Sequence, residues 1–179
     1  NNDEAIEEVV VTGSYIKGSP TDGASPVEII SRDTIDALSA STVADITANL
    51  SINSGSENNV DSFTSGATQG TGNVNLRGLG LTSTLVLLDG KRHTLAGIAA
   101  NDGSVFVNTN IIPVNAIERV EVLKEGAASV YGSDAVAGVV NYIFRRDFEG
   151  IEVDVSTQET DLGGQTDDTV SVILGTPLG

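Results

Sequence analysis

The sequence predicts a domain that mixes short β-strands with short helices and long loops, followed by a β-hairpin. Its 179 residues are enough for one domain of ordinary size. The 20 glycines favour short strands and irregular loops, and an aromatic content of 4% requires an aliphatic core. Short β-branched runs and two short helical patterns occupy the chain up to residue 150, after which apolar and polar residues alternate strictly.

The first elements of this fold are a strand and two helices. Residues 25–31, SPVEIIS, are rich in β-branched side chains and predict a short strand. Residues 31–40 and 41–50 each predict a short helix. In the second of these, Thr42 and Asp45 have the spacing of a capping box.

Further strand patterns follow, and they are separated by turns. The Asp89–Gly90 pair predicts a tight turn, and Pro113 is placed to open a short helical turn. Residues 151–175 predict a hairpin with one apolar and one polar face. The other predicted strands cover residues 73–78, 85–88, 117–123 and 139–144.

Two long polar segments interrupt these elements. Residues 51–72 consist largely of Ser, Asn, Gly and Thr, and Phe63 is their only large aromatic side chain. A second polar segment covers residues 96–104. Loops of the first length are uncommon in compact domains and are usually either functional or disordered.

Composition excludes several classes of function. The 25 acidic and 9 basic residues give a net charge of −16, which argues against a nucleic-acid partner. The chain has no cysteine and a single histidine, His93, so thiolate chemistry and histidine-rich metal sites are excluded. The acidic residues 161–168 lack the ligand spacing of a calcium loop. We therefore predict no catalytic residue, no metal site and no cofactor.

The segment EEVVVTG, residues 7–13, is a strand pattern without an obvious partner. It lies in a polar stretch, residues 1–23, that is predicted to be mobile. No run of apolar residues in the chain has the length of a transmembrane helix. Three adjacent valines beside a mobile terminus indicate a strand that pairs with another molecule.

Four blocks of the sequence, taken together, resemble a single known protein family. In chain order they are EEVVVTG, NLRGLG, TLVLLDGKR and AIERVEVLKEGAASVYGSDAVAGVVNYIFRR. Between residues 7 and 146, the order of these blocks and the identities of their residues resemble those of the plug domain of the TonB-dependent outer-membrane receptors of Gram-negative bacteria. One departure is KEGAAS, where the family often has a proline, and this difference is expected to alter only a turn.

The resemblance implies an α+β plug domain with a mixed, roughly four-stranded sheet and short helices, held inside the lumen of the receptor's own β-barrel. It divides the chain into a mobile segment with a TonB box (1–23), the plug (24–149) and the first two strands of the barrel (150–179). The remaining barrel strands would require several hundred further residues, so the chain is expected to be a fragment of a longer receptor.

The resemblance also implies a function without covalent chemistry. The plug would gate the import of a scarce nutrient, such as an iron–siderophore complex, haem, cobalamin or an oligosaccharide. Import would draw on the inner-membrane proton motive force through the carboxy-terminal domain of TonB. The expected location is the Gram-negative outer membrane, with the amino terminus in the periplasm. The alternatives are a receptor that also signals to a transcriptional regulator and a soluble periplasmic ligand-binding protein with a plug-like fold.

Site residues follow from the same resemblance. Arg77 and Arg119 resemble plug arginines that pair with glutamates of the barrel wall and lock plug to barrel. The TonB box would comprise Glu7, Glu8, Val9, Val10, Val11, Thr12 and Gly13. The loop residues expected to face the ligand are Asn58, Asn59, Phe63, Ile98, Asn101 and Asp102.

Overall fold

The computed structural model describes residues 27–56, 68–125, 127–146, 148–159 and 166–176. Its strands are β1 (Val27–Ser31), β2 (Thr84–Leu88), β3 (Lys91–Arg92), β4 (Ile117–Leu123), β5 (Gly138–Phe144), β6 (Gly150–Glu159) and β7 (Thr166–Gly175). Its α-helices are α1 (Arg32–Ala37), α2 (Val43–Ala48) and α3 (Ala128–Tyr131). Single 3₁₀ turns lie at Leu81–Ser83, Thr109–Ile111, Val114–Ala116 and Ser133–Ala135.

The first five strands form one mixed sheet in the order β1-β4-β5-β2-β3. Strand β2 runs parallel to β5, and the other neighbouring strands are antiparallel. The α+β fold with a mixed sheet and short helices is therefore confirmed. The sheet has five strands in the described part of the chain, although β3 is only two residues long.

Both faces of this sheet are covered, and the core is aliphatic. On one face, Val120, Val122 and Val140 pack with helices α1 and α2. On the other face, Leu87 and Val139 form a smaller cluster beside α3. Central strands that are buried on both faces explain the near-continuous apolar runs in the sequence.

Helix α2 begins at the predicted capping box. The Thr42 backbone N–H donates to Asp45 Oδ2 at 2.8 Å, and the Asp45 N–H donates to Thr42 Oγ1 at 3.3 Å. These bonds satisfy amide groups that the first turn of a helix leaves without partners. The helix then buries Val43 and Ile46 completely against the sheet.

The prediction of a β-strand at residues 73–78 is wrong. Leu76 forms one isolated bridge with Asn53 and no ladder. Residues 71–76 are all buried, so apolar and polar side chains do not alternate between core and solvent. Side chains supply part of the bonding that a neighbouring strand would give: the Asn75 N–H donates to Asn53 Oδ1 at 3.0 Å, and the Leu76 N–H donates to Thr84 Oγ1 at 3.0 Å.

Strands β6 and β7 form a separate antiparallel hairpin, in which Val153 lies opposite Val172. One face is polar and includes Asp154 and Ser171, which lie toward the globular domain. The other face is apolar and exposed, so the predicted two-faced hairpin is confirmed. The exposed side chains of the apolar face are Ile151, Val153, Val155, Val170, Val172 and Leu174.

Candidate functional site

Arg77 connects the LRG block to the start of β5. Its backbone has a φ of 58°, a left-handed conformation that few residues other than glycine adopt. This turn directs the guanidinium to the main chain that precedes β5. Its Nη2 donates to the carbonyl oxygens of Val136 at 2.9 Å and Ala137 at 3.0 Å. Arg77 thus fixes the entry to a central strand, and its pairing with a barrel glutamate remains a prediction.

Arg92 makes a second connection of the same kind. It lies on β3, immediately after the Asp89–Gly90 turn, and forms an ion pair with Asp134. Its Nη2 also donates to the Tyr131 carbonyl at 2.7 Å. The hydrogen bond from Arg92 lowers the pKa of the Asp134 carboxyl from its usual value. The LDGKR and YGSDA blocks are therefore in direct contact.

Arg119 binds a carboxylate inside the domain. Its Nε and Nη2 both lie 2.9 Å from Oε1 of Glu121, two residues along β4. The Glu121 side chain is completely buried, whereas that of Arg119 is 26% exposed. A buried carboxylate requires a charged or hydrogen-bonding partner. The predicted pairing of Arg119 with the barrel wall stays a prediction.

The end of the first polar loop at Gly72 lies against helix α2 and is held there by two asparagines, Asn108 and Asn110. The Gly72 N–H donates to Asn108 Oδ1 at 3.1 Å, and Asn110 Oδ1 accepts from the Ala44 N–H at 3.3 Å. A β-carbon on Gly72 would lie 2.5 Å from Asn110 Oδ1 and 2.9 Å from the Ala44 β-carbon, so this close approach requires glycine. The polar segments contain several asparagines, and nothing in the sequence distinguishes Asn108 and Asn110 as the ones that make these contacts.

The second polar loop presents its tip to solvent. Ile98, Asn101 and Asp102 are all exposed there. Hydrogen bonds from the side chain and backbone of Ser104 hold the pKa of Asp102 below its usual value. The base of the loop is anchored by Phe106, which is 2% exposed and packs in a small apolar cluster. The tip is thus accessible on a fixed base.

Several predicted site residues lie outside the described residues. They are the seven residues of the TonB box and the loop residues Asn58, Asn59 and Phe63. In the described part of the chain, no group of three or more potential metal ligands lies together. Among those same residues, no helix is long and apolar enough to cross a membrane.

Comparison with known proteins assigns the family. The sequence profile of the TonB-dependent receptor plug domain matches residues 19–139. This match covers most of the chain, including the Arg77, Arg92 and Arg119 contacts. The chain therefore belongs to the TonB-dependent receptor plug domain family.

Solved receptors share the fold. The siderophore receptor PirA from Acinetobacter baumannii is 26% identical, with a TM-score of 0.55 over 82% of this chain and 21% of that one. A variant of the ferric enterobactin receptor PfeA from Pseudomonas aeruginosa, in complex with enterobactin, is 23% identical with a TM-score of 0.57, over 84% and 22%. The unliganded ferric citrate transporter FecA is 24% identical with a TM-score of 0.63, over 84% and 22%. The chain spans about a fifth of the length of these structures.

Proposed function

We propose that the chain is the gate of an outer-membrane receptor that imports a scarce nutrient through energy supplied by TonB. The match of the plug family over residues 19–139 carries this proposal. The siderophore and ferric citrate receptors that share the fold make an iron complex the first ligand class to test. The gate acts by binding and movement, with no covalent step.

The hairpin β6–β7 forms the first two strands of the surrounding barrel in this proposal. Each strand has ten residues, and a transmembrane β-strand takes about 9–11. Val153 and Val172 on the outer face are 59% and 57% exposed, as lipid-facing residues are in the absence of lipid. The opposite face is polar and lies toward the plug, which matches the wet lumen of such barrels.

The second polar loop contributes to ligand binding from the plug side. Ile98, Asn101 and Asp102 are exposed at its tip, on a base fixed by Phe106. Residues 93–118 contain no lysine or arginine, so this loop offers apolar and hydrogen-bonding groups without positive charge. We expect it to contact uncharged parts of the ligand. Ligand uptake by the full-length receptor carrying Asn101→Ala would measure how much this loop contributes to ligand binding.

The TonB box, residues 7–13, is proposed to bind by adding a strand to the sheet edge of the TonB carboxy-terminal domain. In this mode the main-chain hydrogen bonds supply affinity and alternate side chains supply specificity. The three valines favour an extended conformation. The flanking Glu7 and Glu8 discourage pairing between two copies of the segment.

A peptide of residues 4–14 tests the coupling. We expect it to bind a TonB carboxy-terminal domain in isothermal titration calorimetry. Val10→Pro removes an N–H and should abolish binding, because proline cannot donate to a ladder. Val10→Thr keeps the N–H and the β-branched shape, and should bind nearly as well as the parent. Equal affinities of the proline variant and the parent would refute strand addition.

A further inference from the structure

Two arginines hold the 3₁₀ turn Val114–Ala116 from opposite sides. Arg32 Nη1 donates to the carbonyl oxygen of Val114 at 2.8 Å and to that of Ile117 at 2.9 Å. Arg145 donates from its backbone N–H to the Ala116 carbonyl at 2.9 Å. The turn is therefore fixed to α1 at one side and to the chain after β5 at the other.

Arg145 also connects this turn to the hairpin. Its Nη1 and Nη2 bind the two carboxylate oxygens of Glu152, on β6, at 2.8 and 3.0 Å. The same Nη1 donates to the Asn115 carbonyl at 3.3 Å, and the guanidinium carbon lies 4.4 Å from the centre of the Phe148 ring. The Arg145 side chain is 18% exposed. Bidentate pairs of this kind are the stronger and more directional ion pairs.

A cleft of about 450 Å³ lies between the globular domain and the hairpin, beside this ion pair, and its walls carry apolar side chains such as Ile35, Val114 and Val155 as well as polar ones. The domain side of the cleft includes Arg32, Asp36 and Asn115, and the hairpin side includes Glu152, Asp154, Thr169 and Ser171.

We propose that the Arg145–Glu152 pair is the fixed joint between plug and hairpin, and therefore between the gate and the first strands of the barrel wall. This inference rests on the proposed function, because it takes β6 and β7 as part of the barrel wall. The joint combines a bidentate ion pair, a carbonyl contact and an aromatic contact on one side chain.

Spin-label distance measurements on the 179-residue chain in detergent micelles test the joint. The sequence has no cysteine, so labels at Asp33→Cys on α1 and Val170→Cys on β7 report a single distance. We expect the parent to give one narrow distribution. Glu152→Gln and Arg145→Gln should each broaden it, because the domain and hairpin then move relative to each other. Asp154→Asn, the same change on the cleft wall, should leave the distribution narrow.

The charge-swapped double variant Arg145→Glu, Glu152→Arg separates a lost joint from lost folding. It should restore part of the narrow distribution, and circular dichroism should show the same secondary structure in all variants. A Glu152→Gln distribution as narrow as that of the parent would overturn the joint, as would equal broadening by Asp154→Asn. If these distances behave as expected while the TonB-box peptide fails to bind TonB, the joint stands and the proposed coupling falls.

Discussion

At the scale of single residues, the Tyr142 hydroxyl is one of three buried side-chain hydroxyls without a hydrogen-bond partner among the described residues, together with those of Ser41 and Thr109. The Tyr142 side chain is completely buried on β5, and its hydroxyl has no hydrogen-bond partner in the described structure. Burial raises the pKa of this phenol far above its usual value. A buried polar group without a partner loses its hydrogen bonds to water and forms none within the protein, so its burial is unfavourable.

We therefore expect Tyr142→Phe to be as stable as the parent or more stable. The matched control is Thr84→Val, which also deletes one buried hydroxyl. Thr84 Oγ1 accepts from the Leu76 N–H, so this variant should lower the free energy of unfolding by about 1–3 kcal/mol. Urea titrations followed by circular dichroism measure both. A Tyr142→Phe variant that loses as much stability as Thr84→Val would show that the hydroxyl has a partner in solution.

Charged side chains in the central strands are residues whose surroundings the sequence predicts poorly. Apolar and charged residues alternate along residues 117–123, and this pattern places Val120 and Val122 on one face of the strand and Arg119 and Glu121 on the other. That face carries the smaller apolar cluster and is covered, so Glu121 is fully buried. Alternation with a period of two residues separates the two faces of a strand, but it does not show whether the second face contacts water or protein.

At the scale of elements, the entry to β5 depends on a glycine. Gly138 has a φ of 137°, and a β-carbon there would lie 2.6 Å from the Leu123 carbonyl oxygen and 2.8 Å from Leu76 Cδ1. Gly138→Ala should therefore cost about 1–3 kcal/mol from backbone strain, with a further loss from the displaced strand β4. The control is Gly97→Ala, at a loop position with open space around the added methyl group.

Thermal unfolding of the two glycine variants measures this effect. A clear drop in midpoint for Gly138→Ala alone would agree with the crowded strand entry. Similar midpoints for both variants would mean that β4 and β5 can move apart by a few tenths of an ångström without loss.

Elements with strong local signals were the ones that the sequence predicted. Helix α2 begins at its capping box, β4 and β5 coincide with segments rich in β-branched side chains, and β2 coincides with an aliphatic run, because these signals act within a few residues. The segment at residues 73–78 has a strand-like pattern and yet forms no ladder. Its backbone bonds to the side chains of Asn53 and Thr84 and to the main chain of Ile52 and Ser54, and the alternation of the segment itself indicates none of these partners.

At the scale of the whole molecule, three of the four blocks that carried the family resemblance lie in the described part of the chain and contact one another. Arg77 of the LRG block binds the carbonyls of Val136 and Ala137, and Arg92 of the LDGKR block binds Asp134. The family could thus be predicted from the residues of the blocks, whereas the contacts of the arginines could be identified only from the folded structure. For Arg77 and Arg119, these contacts within the domain also mean that a barrel latch would have to share or exchange existing partners.

The apolar face of the hairpin determines how the whole chain behaves in water. Its six large apolar side chains are 57% to 74% exposed. An exposed apolar face of this kind drives association, and the free edges of a two-stranded sheet offer further pairing. We expect the chain to self-associate in water and to be dispersed by detergent micelles, as measured by analytical ultracentrifugation.

The double variant Val153→Lys, Val172→Glu tests the cause of this association. The two residues lie directly opposite each other in the hairpin, so the introduced charges can pair across the strands and preserve the register. The net charge of the chain is unchanged, so a loss of association would come from the interrupted apolar face and not from general repulsion. We expect a smaller average mass in water and weaker binding to micelles than for the parent. Unchanged association would instead assign self-association to other surfaces, and would remove support for a lipid-facing role of the hairpin.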